Sequence, residues 1–305
     1  MNIGLGGLAG NRIVRAVNRP SRNGCECEGR TGDLGRFARQ QGGAMAYGIA
    51  IEEAGEVELY RFGRSKQIFR GPKPDLRDPY ISFIGGSEMF GKFVLAPFPQ
   101  LVGRSVGQTC VNLGTPGAGP GFFLKDPVIL ETCSRSATCI VQVMAAEPLS
   151  NRMYSVFPRR NMRLRKVSNV LKSLYPQLDF SQFRFVSAMI RALKSEDTEA
   201  YKVVMAEQRS AWLARMLELL EDIETTTILL WIKPKGYSDF DQVVTQELVG
   251  VLSGHVDRVL NVEINISEKT ANNLSGLRKD TGWMTREAHA KIAKAISREL
   301  QVVSI

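Results

Sequence analysis

Five short apolar runs, separated by long stretches in which helical patterns predominate, constrain this chain more than any other feature. They are Ile81–Gly86, Cys110–Leu113, Thr138–Ala145, Thr226–Ile232 and Val256–Ile266. The first four are largely apolar, as in strands covered on both faces, the fifth is strand-like in part, and helices between them predict a parallel sheet. Helices are expected over Glu88–Val94, halted by Pro97 and Pro99, over Gly121–Ser134, over Asp239–Leu252 and over about Thr285–Leu300. The last of these turns Ala288, Ile292, Ala295 and Ile296 inward. Residues 151–225 carry two helical stripes, Val167, Val170, Leu171 and Leu174, then Tyr201, Val204, Gln208, Trp212, Met216, Leu219 and Ile223. That stretch reads as mostly helical and exceeds one crossover, so it is an insertion or cap. A short β-rich opening, Val57–Tyr60 and Lys66–Phe69, precedes the alternation.

The first 44 residues differ from the rest. They hold ten glycines, seven arginines and no lysine, with no sustained period, which describes a disordered basic extension or a start site wrongly placed upstream of Met45. The domain expected is a single α/β unit over 45–305. The net charge of +9 falls to about +5 without residues 1–44, since seven Arg and three acidic residues leave together. The basic balance then argues little for nucleic acid, and the expected partner is a small anionic molecule. No apolar run approaches the roughly 18–20 residues of a membrane helix, and no secretory signal opens the chain, so a cytoplasmic location is expected. Cys25, Cys27, Cys110, Cys133 and Cys139 form no zinc spacing and no disulfide framework; neither a metal nor a cofactor is expected.

Ligands of open parallel sheets meet the carboxyl ends of the strands. Those ends carry Gly85-Gly86-Ser87, Asn112-Leu113-Gly114, the stretch ending in Ser150-Asn151, and the segment Asp280–His289 before the last helix. The order of these blocks resembles hydrolases of the SGNH (GDSL-like) superfamily. The resemblance implies an α/β fold of flavodoxin-like/SGNH-like type, three-layered, with a mostly parallel sheet and a helical insertion. It also implies an ester or acyl hydrolase or group transferase with Ser87 as nucleophile and Gly114 N–H and Asn151 as oxyanion donors. Asp280 and His289 are the candidates in the fourth block. The chain departs from the pattern at Gly86, where the superfamily has Asp, and at Trp283, where it has the catalytic His. A serine without a base is a weak nucleophile, so Ser87 as a helix N-cap is the competing reading. His289 then reads as a partly buried helix residue, and His255 as a surface residue at a helix end.

A closer similarity covers Met45 to about Trp231. Phe69-Arg70-Gly71-Pro72, Ile84-Gly85-Gly86-Ser87-Glu88, Pro97-Phe98-Pro99, Leu149-Ser150-Asn151-Arg152 and Pro158-Arg159-Arg160-Asn161 resemble a bacterial family of unknown function, whose turn often has threonine in place of Ser87. It implies no activity. The remaining feature is charge: residues 151–215 hold thirteen Lys or Arg against five Asp or Glu. Arg152, Arg159 and Arg160 are the candidates for gripping a phosphate, sulfate or carboxylate. The same excess also suits a solvated helical face, and it lacks the interleaved aromatics of a single-strand nucleic-acid platform. The alternative function is therefore non-catalytic binding of an anionic small molecule.

Overall fold

The structure, a computed structural model, describes residues 58–92, 94–157, 160–235, 242–265 and 284–303. The chain opens with β1 (Leu59–Tyr60) and β2 (Phe69–Arg70), paired antiparallel. The core follows as β3 (Tyr80–Ile84), α1 (Ser87–Phe90), α2 (Phe98–Val106), β4 (Thr109–Asn112), α3 (Pro120–Phe123), α4 (Pro127–Ser134) and β5 (Thr138–Gln142). A hairpin of β6 (Tyr154–Phe157) and β7 (Arg160–Val167) comes next, then α5 (Asn169–Leu174), α6 (Val186–Glu196) and the long α7 (Thr198–Glu221). β8 (Thr227–Pro234), α8 (Gln246–Leu252), β9 (Arg258–Ile264) and α9 (Arg286–Val303) complete the described elements.

The expected parallel sheet is present, in the order β4-β3-β5-β8-β9, with every pair parallel. Counted along the chain this is 2-1-3-4-5, the doubly wound order whose switch point lies between the first and third strands, here β3 and β5. Alternate residues of each strand feed two separate cores. Ile84, Cys139, Val141, Leu229 and Trp231 face one layer with Phe123, Trp212 and Leu252. Ile81, Phe83, Ile140, Ile228 and Leu230 face the other with Phe98, Val102, Ile292 and Ile296. Ala288 is buried in that second core and Ala295 packs at its margin. Burial on both faces is the physical reason β3, β5 and the first part of β8 read as continuous apolar runs, whereas β9, at the sheet edge, leaves Arg258, Asn261 and Glu263 exposed.

Three expectations need correction. Residues 151–225 do not begin as helix: β6 and β7 form an antiparallel hairpin, and the basic stretch assigned to a helical face is a strand. The helix expected over Glu88–Val94 ends at Gly91, whose φ of 66° closes it in the left-handed conformation. A second helix then starts where the first was expected to be stopped, because Pro97 is its N-cap and Pro99 lies in its first turn, where a missing N–H costs nothing. The helix expected over Gly121–Ser134 is two helices, broken at Pro127 and restarted by Asp126, whose carboxylate accepts from Val128 N–H at 3.2 Å. The basic extension, residues 1–44, lies outside the described residues. No described helix is long and apolar enough to cross a membrane.

The loop between α1 and α2 is held by one side chain. Buried Arg70 donates to the carbonyl oxygens of Phe90, Gly91, Val94 and Leu95, and burial lowers its pKa to about 10. Four backbone acceptors stand in for a counter-ion and hold the C-terminal end of α1 in place.

Candidate functional site at the sheet switch point

Ser87 follows β3 after the Gly85-Gly86 turn and lies half-buried at the switch point. The competing reading of Ser87 as a helix cap does not hold, since the N-cap of α1 is Gly86 and no side chain caps that helix. Instead Ser87 Oγ accepts the N–H of Gly117 at 3.1 Å, from the turn after β4. Gly117 has φ 68°, a conformation that glycine reaches without strain, and this turn aims its N–H at the serine. Among the described residues no imidazole or carboxylate hydrogen-bonds to Ser87 Oγ.

Gln142, the last residue of β5, adjoins the same turn with only 4% of its surface exposed. Its Oε1 accepts from Gly86 N–H at 3.0 Å, and its Nε2 donates to Glu88 Oε2 at 2.9 Å. Gly85 completes the fit: a Cβ there would collide with Gln142 Oε1 and lie 2.7 Å from Gln142 Cβ. Gln142 is not among the residues that the sequence alone points to. The one signal for Gln142 was an amide within the otherwise apolar stretch Thr-Cys-Ile-Val-Gln-Val-Met-Ala, since a buried polar group requires partners.

The other candidates serve the loops around this point. Gly114 N–H donates to Asn112 Oδ1 at 2.9 Å, while Asn112 Nδ2 donates to Met89 O at 2.9 Å, so the block after β4 braces α1. Asn151 Oδ1 accepts from Met153 N–H at 2.8 Å and Tyr154 N–H at 3.1 Å, which forms the turn into β6. Arg152 is 83% exposed but pairs with Glu207, with Nε at 2.6 Å and a terminal nitrogen at 2.5 Å. All of Arg159, Asp280 and Trp283, and the side chain of Arg160, lie outside the described residues. Met162 of β7 reaches over the Gly117 turn, where its Cγ would stand 2.9 Å from an added Cβ.

His289 is 2% exposed on α9. Its Nδ1 accepts Phe98 N–H at 3.1 Å, the first position of α2, and its ring stacks on Phe98 with centroids 5.7 Å apart. Burial, and secondarily the Arg70 charge, lowers its pKa to about 4. Its work is to cap α2 from a neighbouring helix. His255 ends the short 3₁₀ turn before β9 and so sits at the amino edge of the parallel sheet, opposite Ser87. Among the described residues no three His, Cys, Asp or Glu side chains gather as metal ligands.

Solved structures similar to this chain include a protein assigned to the lipolytic G-D-S-L family from Desulfitobacterium hafniense DCB-2, at 14% identity and a TM-score of 0.36, covering 72% of this chain and 99% of that one. A catalytic mutant of Axe2, an acetylxylan esterase from Geobacillus stearothermophilus, matches at 13% identity and a TM-score of 0.38, covering 73% and 94%. Unmutated Axe2 matches at 12% identity and a TM-score of 0.35 over the same shares. No curated protein matches the chain in sequence. The match to a family is of a different extent, spanning residues 45–304. The chain therefore belongs to the family described as a domain of unknown function, DUF6473.

Proposed function

We propose that the edge of the sheet at the carboxyl ends of β3, β4 and β5 is an acyl-transfer site, with Ser87 as the acceptor hydroxyl of a divergent ester or acyl hydrolase or group transferase. The observation that carries this reading is the state of Ser87 Oγ: it is half-buried at the switch point and its oxygen already accepts Gly117 N–H, while no described residue takes its proton. A donor on Oγ stabilises negative charge developing there, and the half-buried side chain keeps part of its surface accessible. In the reaction a bond forms from Oγ to the acyl carbon, the ester C–O bond breaks, and the hydroxyl proton passes to the leaving alcohol. Water or another acceptor then takes the acyl group. The histidine-assisted version of this chemistry is not the one proposed, because His289 is spent on Phe98 and His255 lies at the opposite edge.

The test is labelling of the full chain with a fluorophosphonate, in which Oγ bonds to phosphorus as fluoride leaves. Covalent labelling that disappears in Ser87→Ala is the expected result; a folded parent protein that takes no label rejects the reading. A second reading is binding of an anionic small molecule without chemistry. It is favoured by the commitment of Gly114 N–H to Asn112 and of Asn151 to its own turn, and it assigns Arg152, Arg159 and Arg160 to the anion. Melting-temperature shifts with phosphate, sulfate or nucleotides that vanish on Arg159→Ala/Arg160→Ala, together with no labelling, select it.

A further inference from the structure

Gln142 stands out because burying a primary amide is costly unless both of its ends are satisfied. Here both are, and by the two residues that flank one serine. Gly86 N–H can only donate, so it identifies Oε1; the Glu88 carboxylate can only accept, so it identifies Nε2. The orientation of the amide therefore follows from its partners.

We infer that Gln142 is the positioning residue of the Ser87 site, gripping the backbone on one side of the serine and the carboxylate on the other. This rests on the reading of Ser87 as the acyl acceptor. Several further observations fit the role. A side chain on Gly85 would occupy the space that the Gln142 amide fills. Glu88 is exposed, yet its Oε2 lies 3.2 Å from where a Cβ on Gly86 would stand, so the carboxylate reaches back beside Gly86. Thr115 N–H donates to Gly85 O at 2.9 Å, and Gly117 N–H to Ser87 Oγ, so the loop after β4 holds the same turn from its other side. The residue preceding the serine, the serine hydroxyl and the residue following it are thus each held by a separate bond. Such restraint fixes the direction of attack before any substrate arrives.

The test exchanges the donor and acceptor of the clamp. In Gln142→Glu the new carboxylate still accepts Gly86 N–H but faces Glu88 without a donor. The fluorophosphonate labelling rate of the full chain is expected to fall about tenfold or more, the scale of one lost charged hydrogen bond. Adding Glu88→Gln restores a donor opposite an acceptor, and the double variant is expected to recover most of the parent rate, a rescue that mere loss of packing would not show. Parent-like labelling in Gln142→Glu, or a double variant as slow as the single one, overturns the inference. Amide hydrogen exchange over residues 85–90 provides a readout independent of Ser87 reactivity. Faster exchange is expected in Gln142→Glu, with protection regained in the double variant. If the parent takes no label but exchange follows this pattern, the acyl-transfer reading fails and the clamp stands; unchanged exchange overturns the clamp. Should Gln142→Glu not fold, Gln142→Met removes both bonds at similar length, and unchanged exchange in it is equally decisive.

Discussion

His289 is one of two histidines in the chain, and its chemistry is set by what surrounds it rather than by its type. Its Nδ1 must stay unprotonated to accept Phe98 N–H, and burial lowers its pKa from 6.5 to about 4. Between those values the unfolded chain binds the proton and the folded chain does not, so stability is fully present above about pH 6.5 and is lost as pH falls toward 4. The loss is on the order of 3 kcal/mol. Urea midpoints measured across this window are expected to fall with decreasing pH in the parent, and less steeply in His289→Gln, which keeps an acceptor but cannot titrate. An equal slope in both would assign the pH dependence elsewhere. In the sequence His289 is a catalytic candidate only because Trp283 holds the place of the superfamily's histidine and His289 follows within the last helix, about two turns on. Nothing in one dimension could tell that α2 would begin against its ring.

At the scale of elements, glycines separate positions that the tertiary structure requires from positions that it tolerates. Gly114 lies against the end of α1: an added Cβ would be 2.6 Å from Phe90 N and 2.9 Å from Met89 C, both backbone atoms that cannot turn aside. Gly114→Ala is expected to cost about 1–3 kcal/mol by overpacking and to displace α1, which carries Ser87. Gly250, inside α8, has nothing within 4 Å, and Gly250→Ala is expected to stabilise the protein by about 0.5–1 kcal/mol. Denaturant midpoints of the two variants should therefore move in opposite directions. Sequence periodicity located most of the strands because burial on both faces leaves an unmistakable apolar run. It failed at prolines, where one residue both ends a helix and begins another. It also failed over Arg160–Val167, where Met162 and Leu164 alternate with Arg163 and Arg165 at a strand period, but the abundance of charge read as a solvated helix.

The whole molecule is organised around three apolar clusters, two against the sheet and a third within the hairpin and helices that follow β5. α7 joins two of them: Tyr201, Val204 and Met205 belong to the third cluster, Trp212, Met216 and Leu219 to the first. Trp212 also donates its indole N–H to Met144 O at 2.9 Å, just beyond β5 and the Gln142 clamp. Leu193→Ala, fully buried in the third cluster, is expected to cost about 2–5 kcal/mol locally, and Trp212→Ala about 3–5 kcal/mol at the junction. Hydrogen exchange distinguishes the two. The first variant should expose amides of β6 and β7 while β5 and β8 keep their protection; the second should weaken all four strands. Equal effects from both would make the insertion and sheet one cooperative unit.

The parallel sheet, its covered faces and the edge at which Ser87 emerges are legible in the order of residues, because each is a matter of which residues avoid water and where glycine lets the chain turn. The roles at that edge were decided only by tertiary structure. Whether Ser87 caps a helix or accepts Gly117 N–H, and whether Gly114, Asn151 and His289 face a substrate or their own loops, depends on partners that lie from two to nearly two hundred residues away. Hydrogen-bond partners separated by that distance leave no period in the chain. Gln142 states the division most clearly: its place at the end of a buried strand was legible in the sequence, but its grip on both sides of Ser87 exists only once β3 and β5 lie side by side.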